Sequence, residues 1–152
     1  MNDTTPHILI IDDEKIALIK LTHVLEGEGY KVTACSDGQS GLAAMHKNAF
    51  DLVLTDVRMP GIDGMEVLRH IKSTTPDVPV IMITGHASLD SAVDAMKAGA
   101  YHYISKPFRL AEAREVVRGA LELRRIRHQN IELKHQIEDI SSQTTLITQH
   151  QT

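Results

Sequence analysis

The chain has 152 residues and a mass of 16.8 kDa, a size that fits one domain with a core needing no covalent staples. Its 42% apolar and 24% charged residues exclude a disordered or fibrous chain. Aromatics make up only 3%, with no Trp, and the net charge is -4, so stacking ligands and general nucleic-acid binding have little to work with. One cysteine excludes a disulfide framework and suits a reducing, cytoplasmic compartment. No apolar run approaches the roughly 18 residues of a membrane span, and the N-terminus lacks the basic and apolar regions of a signal peptide.

Short runs rich in β-branched residues alternate with segments of helical spacing. The first strand is expected at His7–Ile11, followed by a helical stripe of Ile16, Ile19, Leu21, Val24 and Leu25 that stops at Gly27 and Gly29. A strand at Lys31–Cys35 precedes a stripe of Leu42, Ala43 and Met45. A strand at Asp51–Thr55 precedes the Pro60-Gly61 turn and a stripe of Met65, Val67, Leu68 and Ile71. After the boundary from Pro76 to Pro79 come a strand at Pro79–Thr84, a stripe of Leu89, Val93 and Met96, and a stop at Gly99. The last strand is expected at Tyr101–Ser105, and the last helix begins after Pro107. The first, third and fourth strands are almost continuously apolar, as strands covered on both faces must be. Five strand–helix pairs imply an α/β fold with a parallel sheet and right-handed crossovers.

The fifth helix has no early stop. Val116, Leu123, Ile126, Leu133, Ile137, Ile140 and Ile147 share the a and d positions of one heptad frame, interrupted by Gly119, Asn130 and Thr144. A five-pair domain should end near residue 120, giving a 1–120 domain and a 121–152 helical extension. The extension is expected to form a coiled coil in which Asn130 helps set register. A single amphipathic helix folded back on the domain is the plainer alternative. Ser141 to Thr152 is polar and is expected to fray.

Chemistry gathers where strands end. Strand one ends at Asp12-Asp13, strand three at Asp56, strand four at Thr84 and strand five at Ser105-Lys106-Pro107. In doubly wound sheets, sites form at the carboxyl ends of strands. Three converging carboxylates repel one another unless a cation is present. A hard divalent ion such as Mg2+, taking few carboxylates and keeping waters, answers that need. A lysine alongside suits a phosphoryl group bridging metal and ammonium, and a carboxylate can act as the nucleophile, giving an aspartyl phosphate. Each residue alone has a plainer role: Asp12, Asp13 or Thr84 as helix caps, Asp56 as a turn residue, Lys106 as a solvated charge. Their joint placement at four of five strand ends is what argues for a site.

Four segments carry a resemblance: Ile8-Leu9-Ile10-Ile11-Asp12-Asp13-Glu14, Asp51 to Gly64 (with Thr55-Asp56-Val57-Arg58-Met59-Pro60-Gly61), Ile83-Thr84-Gly85-His86-Ala87, and Gly99 to Phe108 (with Ser105-Lys106-Pro107). Together they resemble the receiver domain of bacterial two-component response regulators, over about residues 6 to 120. The resemblance implies a flavodoxin-like five-stranded sheet of order 2-1-3-4-5. It implies that Asp56 accepts a phosphoryl group from a sensor histidine kinase. Mg2+ would be held by Asp13, Asp56 and the backbone carbonyl of Arg58, with Asp12 acting partly through water. Lys106, in a cis bond to Pro107, would hold a phosphoryl oxygen. Thr84 would hydrogen-bond the phosphoryl group, and Tyr103 would rotate inward in response. Pro60 and Gly64 would shape the following loop, and Arg58 and His86 would tune dephosphorylation. The fourth helix, fifth strand and fifth helix would form the responding face, and a homodimer through the fifth helix or the coiled coil is expected. The segments around Thr84-Gly85-His86 and Ala95 to Tyr101 look like receivers of enhancer-binding transcription activators. Receivers attached to cyclic-dinucleotide phosphodiesterases look similar. No chemistry beyond the chain's own phosphorylation and dephosphorylation is expected.

The competing readings are weaker. A phosphatase or phosphotransferase on small substrates, with Asp56 as nucleophile, would want a lid that the sequence does not supply. A flavin carrier would want a phosphate loop after strand one. The nine histidines, among them His102, His128, His135 and His150, show no ligand spacing and read as surface residues. Cys35 reads as a small buried hydrophobe. The cluster Arg124, Arg125, Arg127 and His128 reads as a solvated coiled-coil flank and not as a nucleic-acid arm.

Overall fold

The computed structural model describes residues 4–150, with side chains as far as residue 139. Five strands alternate with five helices: β1 (His7–Ile11), α1 (Lys15–Gly27), β2 (Lys31–Cys35), α2 (Gly38–Lys47), β3 (Leu52–Asp56), α3 (Gly64–Thr74), β4 (Val80–Thr84), α4 (Leu89–Lys97), β5 (His102–Ser105) and α5 (Leu110–His150). The strands form one parallel sheet of order β2-β1-β3-β4-β5. The expected fold class and strand order are those observed. The strand bounds differ slightly: β3 is shifted by one residue, leaving Asp51 outside and making Asp56 its last residue, and Pro79 and Tyr101 lie just outside β4 and β5.

Alternation along the strands separates two cores. Leu9, Ile11, Val53 and Met82 face one side, where Val67, Leu68 and Ile71 of α3 and Ala95 of α4 close over them. Ile8, Ile10, Leu54, Ile81 and Ile83 face the other, covered by Leu21 and Leu25 of α1 and by Ala113, Val117 and Ala120 of α5. Every residue of β3 and β4 is buried, as two-sided cover requires. The helix starts are capped locally, by Asp37 at α2, Asp63 at α3 and Ser88 at α4. Neither Asp12 nor Thr84 takes that plainer role.

Three expected stripes are corrected. Ile16 and Ile19 of α1 are exposed, and Leu18, Leu21 and Leu25 make the contact with the sheet. In α2, Ala43 is exposed while Leu42, Ala44 and Met45 pack inward. In α4, Leu89, Val93 and Met96 all face out, and the helix meets the sheet through Ala95. A helix on a tightly covered sheet approaches through small residues, so its larger apolar residues can occupy the outer face. Cys35 is half-buried, and burial pushes its thiol pKa up.

The last helix is continuous from the domain into the extension. Val116 and Gly119, the first positions of the heptad frame, face the domain's own core and Tyr101. Ile126, Leu133 and Ile137 of the same frame are exposed, and so is every residue from 125 to 139. The side chains of Ile140, Thr144 and Ile147, with His150 and the segment Ser141 to Thr152, lie outside the described side chains. Arg124 does not belong to a solvated flank. Its guanidinium donates to Asp51 Oδ1 at 2.8 Å and lies 3.6 Å from Asp77 Oδ2. Asp51 Oδ2 in turn accepts the His7 backbone N–H at 2.8 Å. The base of α5 is thereby tied to the starts of β1 and β3 and to the α3–β4 loop. Among the described residues, no helix is long and apolar enough to cross a membrane.

Candidate functional site

The strand order places the carboxyl ends of β1, β3, β4 and β5 along one edge. Asp12 follows β1 and is held by two contacts: its Oδ1 accepts the Glu14 N–H at 2.8 Å, and its Oδ2 accepts Lys106 Nζ at 2.8 Å. Asp56 ends β3; its Oδ1 accepts the Arg58 N–H at 3.2 Å and its Oδ2 accepts Lys106 Nζ at 3.1 Å. Both carboxylates are buried, whereas Asp13 beside them is exposed. Carboxylate oxygens of Asp12, Asp13 and Asp56 all lie within 4.8 Å of one another. That donor set is all hard oxygen, as Mg2+ prefers.

Lys106 is the counter-ion of the cluster. Its side chain is only 12% exposed, and Glu14 adds a third, more solvated carboxylate at 3.3 Å. Burial alone would depress the ammonium pKa, but hydrogen bonds and charge from Asp12 and Asp56 outweigh it and raise the pKa. Asp12 shows the converse: burial raises its carboxyl pKa, and the bonds from Lys106 and the Glu14 N–H offset this only in part. The acidic pocket therefore carries a built-in cation. Glu14, part of the quoted β1 segment but given no role from sequence, was the missed member. Only the fold brings it to Lys106.

The backbone fixes these positions. The Lys106 N–H donates to the Thr84 carbonyl at 2.7 Å, and the Lys106–Pro107 peptide bond is cis. The Val57 N–H donates to Ile83 O at 3.3 Å and the Gly64 N–H to Val57 O at 2.9 Å, so the loop after Asp56 folds back on its own strand. A Cβ at Gly64 would lie 2.0 Å from Asp56 O, so only glycine fits this close approach. Thr84 is fully buried, and its Oγ1 accepts the His86 N–H at 3.1 Å. Arg58 and His86 are exposed at the rim. Tyr103 is half-buried on β5 and shares a hydrogen bond with Ser91 Oγ of α4. The structure thus brings Asp12, Asp13, Asp56 and Lys106 together directly, with Thr84, Arg58 and His86 around them. The Tyr103 hydroxyl is engaged elsewhere.

A five-stranded 2-1-3-4-5 sheet with an aspartate-rich, lysine-bearing pocket at the strand ends defines the class of CheY-like receiver modules. Residues 8–118 match the family of response regulator receiver domains, and the chain belongs to that family. The chain is 40% identical over 132 residues to the C4-dicarboxylate transport transcriptional regulatory protein DctD of Pseudomonas aeruginosa, covering 87% of this chain and 29% of that protein. The CheY-like receiver domain protein from Methanospirillum hungatei is similar over 82% of this chain and 99% of its own, with 33% identity and a TM-score of 0.79. The beryllofluoride-activated NtrC4 receiver domain dimer is similar over 78% of this chain and 98% of its own, with 35% identity and a TM-score of 0.74. The chain spans 29% to 50% of the length of the first curated relatives it matches, which are transcriptional regulators.

Proposed function

We propose that this chain is a phosphorylation-controlled switch in which Asp56 accepts a phosphoryl group from a phosphohistidine on a sensor histidine kinase. In that reading residues 1–120 are the receiver and 121–152 the extension. One Asp56 oxygen forms a bond to phosphorus as the P–N bond to the donor imidazole breaks, and the imidazole leaves with the bonding electron pair and takes up a proton. The juxtaposition of buried Asp56 with Lys106 at 3.1 Å carries the reading. Lys106 is a fixed positive charge beside the acceptor, and charge neutralisation is most of what phosphoryl transfer asks of a protein. Asp12, Asp13, Asp56 and the Arg58 backbone carbonyl would hold Mg2+, which when bound neutralises charge on the phosphoryl oxygens.

The surroundings supply the partners' footing. Exposed Ile16 and Leu110, with half-buried Phe108, form an apolar rim beside Glu14 and Lys106. Such a rim suits docking of the phosphodonor's helical surface. The new charge at Asp56 draws Lys106 and the Thr84 hydroxyl toward it. Tyr103 follows inward, biasing the face formed by α4, β5 and α5. In this reading Arg58 and His86, exposed at the rim, tune attack of water on the acyl phosphate. Exposed Ile126, Leu133 and Ile137, in frame with Asn130, support a homodimer through the extension. The protein is read as cytoplasmic, with a transcriptional output like that named for its relatives, and as no enzyme beyond its own phosphorylation cycle.

The test is direct. Incubation with Mg2+ and a small phosphodonor should add one phosphoryl group by intact mass, and Asp56→Asn should abolish the gain. Unmodified wild-type protein would refute the reading. Release of phosphate from small phosphomonoesters, with turnover, would favour the phosphatase alternative.

A further inference from the structure

Among the helices around the sheet, α4 is the most weakly held. Of its residues only Ala95 is fully buried, and Leu89, Val93 and Met96 are 79%, 40% and 48% exposed. Its charged residues Asp90, Asp94 and Lys97 enter no ion pair among the described residues. Ser88 caps its start, a bond internal to the helix's own first turn. A cleft lined by Met65, Arg69, Ser91, Asp94 and Lys97 separates it from α3. One side-chain hydrogen bond ties α4 to another element among the described residues. It runs between Ser91 Oγ and Tyr103 Oη, at 2.5 Å. The ring of Tyr103 packs on the core beneath α4, and Tyr103 lies on the same strand that leads into Lys106.

We infer that Ser91 is the positioning residue of the switch, its hydroxyl latching Tyr103 and α4 in the arrangement seen here until the site draws Tyr103 away. The inference rests on the reading of Tyr103 as the responding residue. The physics is a competition for one hydroxyl. While Tyr103 Oη is bonded to Ser91, its inward position is disfavoured by the strength of that bond, because a half-buried hydroxyl that loses its partner is left unsatisfied. Removing the latch enlarges the fraction of molecules already in the other arrangement. The apparent affinity for a ligand that selects that arrangement rises by the same factor. Ser91 touches neither the carboxylates nor Lys106, so it sets the population and takes no part in the transfer.

The test uses the full chain and separates the latch from the phosphoacceptor. Hydrogen exchange of α4 amides is measured in unphosphorylated wild type, Ser91→Ala, Tyr103→Phe, the double variant and Ser91→Thr. Loss of one such bond should speed exchange about fivefold to tenfold in each single variant. The double variant should be no faster than the singles, and Ser91→Thr should restore protection. Multiplying effects in the double variant, or unchanged exchange in Ser91→Ala, would overturn the latch. Beryllofluoride with Mg2+ then probes the coupling: Ser91→Ala should bind it tighter by about the same factor. Unchanged affinity alongside faster exchange would overturn the regulatory role. The exchange result does not depend on whether Asp56 accepts a phosphoryl group, which the mass measurement reads separately.

Discussion

Replacing Lys106 with Met removes, at nearly constant volume, the cation that pairs with Asp12 and Asp56 among the described residues. Two buried carboxylates, on Asp12 and Asp56, lose partners at 2.8 and 3.1 Å. At such distances each attraction is about 5–6 kcal/mol for an effective dielectric near 20. The desolvation of the ammonium offsets much of that gain, and stripping one partner from a buried pair costs about 3–5 kcal/mol in practice. Lys106 keeps a little solvent and its Glu14 arm is well exposed, which brings the expected loss to or just below the bottom of that range, about 2–3 kcal/mol at pH 7. For a chain of this size that lowers Tm by about 10 °C. The pH dependence has a definite sign. Without the ammonium, the carboxyl of Asp12, already raised by burial above its ordinary 3.8, rises further. A raised folded pKa gives stability that is full below the unfolded value and lost as pH rises through the folded one. The gap to wild type should therefore close as pH falls toward 4. Mg2+ should also narrow it, because a pocket stripped of its ammonium holds the cation more tightly than wild type does, and the tighter binder gains more stability from the same Mg2+. Thermal melts across pH, with and without Mg2+, measure both effects. A variant as stable as wild type at pH 7, with no added sensitivity to pH, would refute the view that Lys106 neutralises the pocket.

Three further outcomes are expected. Gly64→Ala should cost about 3 kcal/mol by denaturant unfolding, because the new Cβ would press on the Asp56 carbonyl from 2.0 Å; a change within about 0.5 kcal/mol would mean the loop yields freely. Arg124→Gln should cost about 1–2 kcal/mol. In a double-mutant cycle with Asp51→Asn the two losses should overlap, and strict additivity would show that the contact contributes nothing. His7, which hydrogen-bonds Thr33 across β1 and β2 at 2.7 Å, has its pKa lowered below 6.5, chiefly by burial and then by Lys31. A lowered folded pKa gives stability that is full above 6.5 and lost as pH falls through the folded value. His7→Gln should flatten that part of the stability profile, and an unchanged profile would remove His7 from the account.

The sheet was legible because its strands are nearly continuous apolar runs, a pattern that only two-sided burial explains. The pocket was legible because Asp12, Asp13, Asp56, Thr84 and Lys106 each sit at a strand end, and parallel topology sends all such ends to one edge. Helix faces were harder. Ile16, Ile19, Leu89, Val93 and Met96 have helical spacing, but periodicity does not say whether a stripe faces the sheet or a partner. Here alanines and leucines took the inner face and left those residues outside. Arg124 read as one more charge in a basic run, since its two carboxylates come from residues 51 and 77 and meet it only in the fold. Ser91 carried no signal at all. A serine inside a helix becomes informative only when Tyr103 is seen beneath it.

In the proposed switch the Asp56 carboxylate is the group that takes the phosphoryl. Reductive trapping tests it most directly. After incubation with Mg2+ and a small phosphodonor, borohydride converts an aspartyl phosphate to homoserine, which peptide mapping locates. Homoserine at position 56 alone, dependent on the phosphodonor, is the expected result. Intact aspartate at position 56, with homoserine at another position or at none, would contradict it.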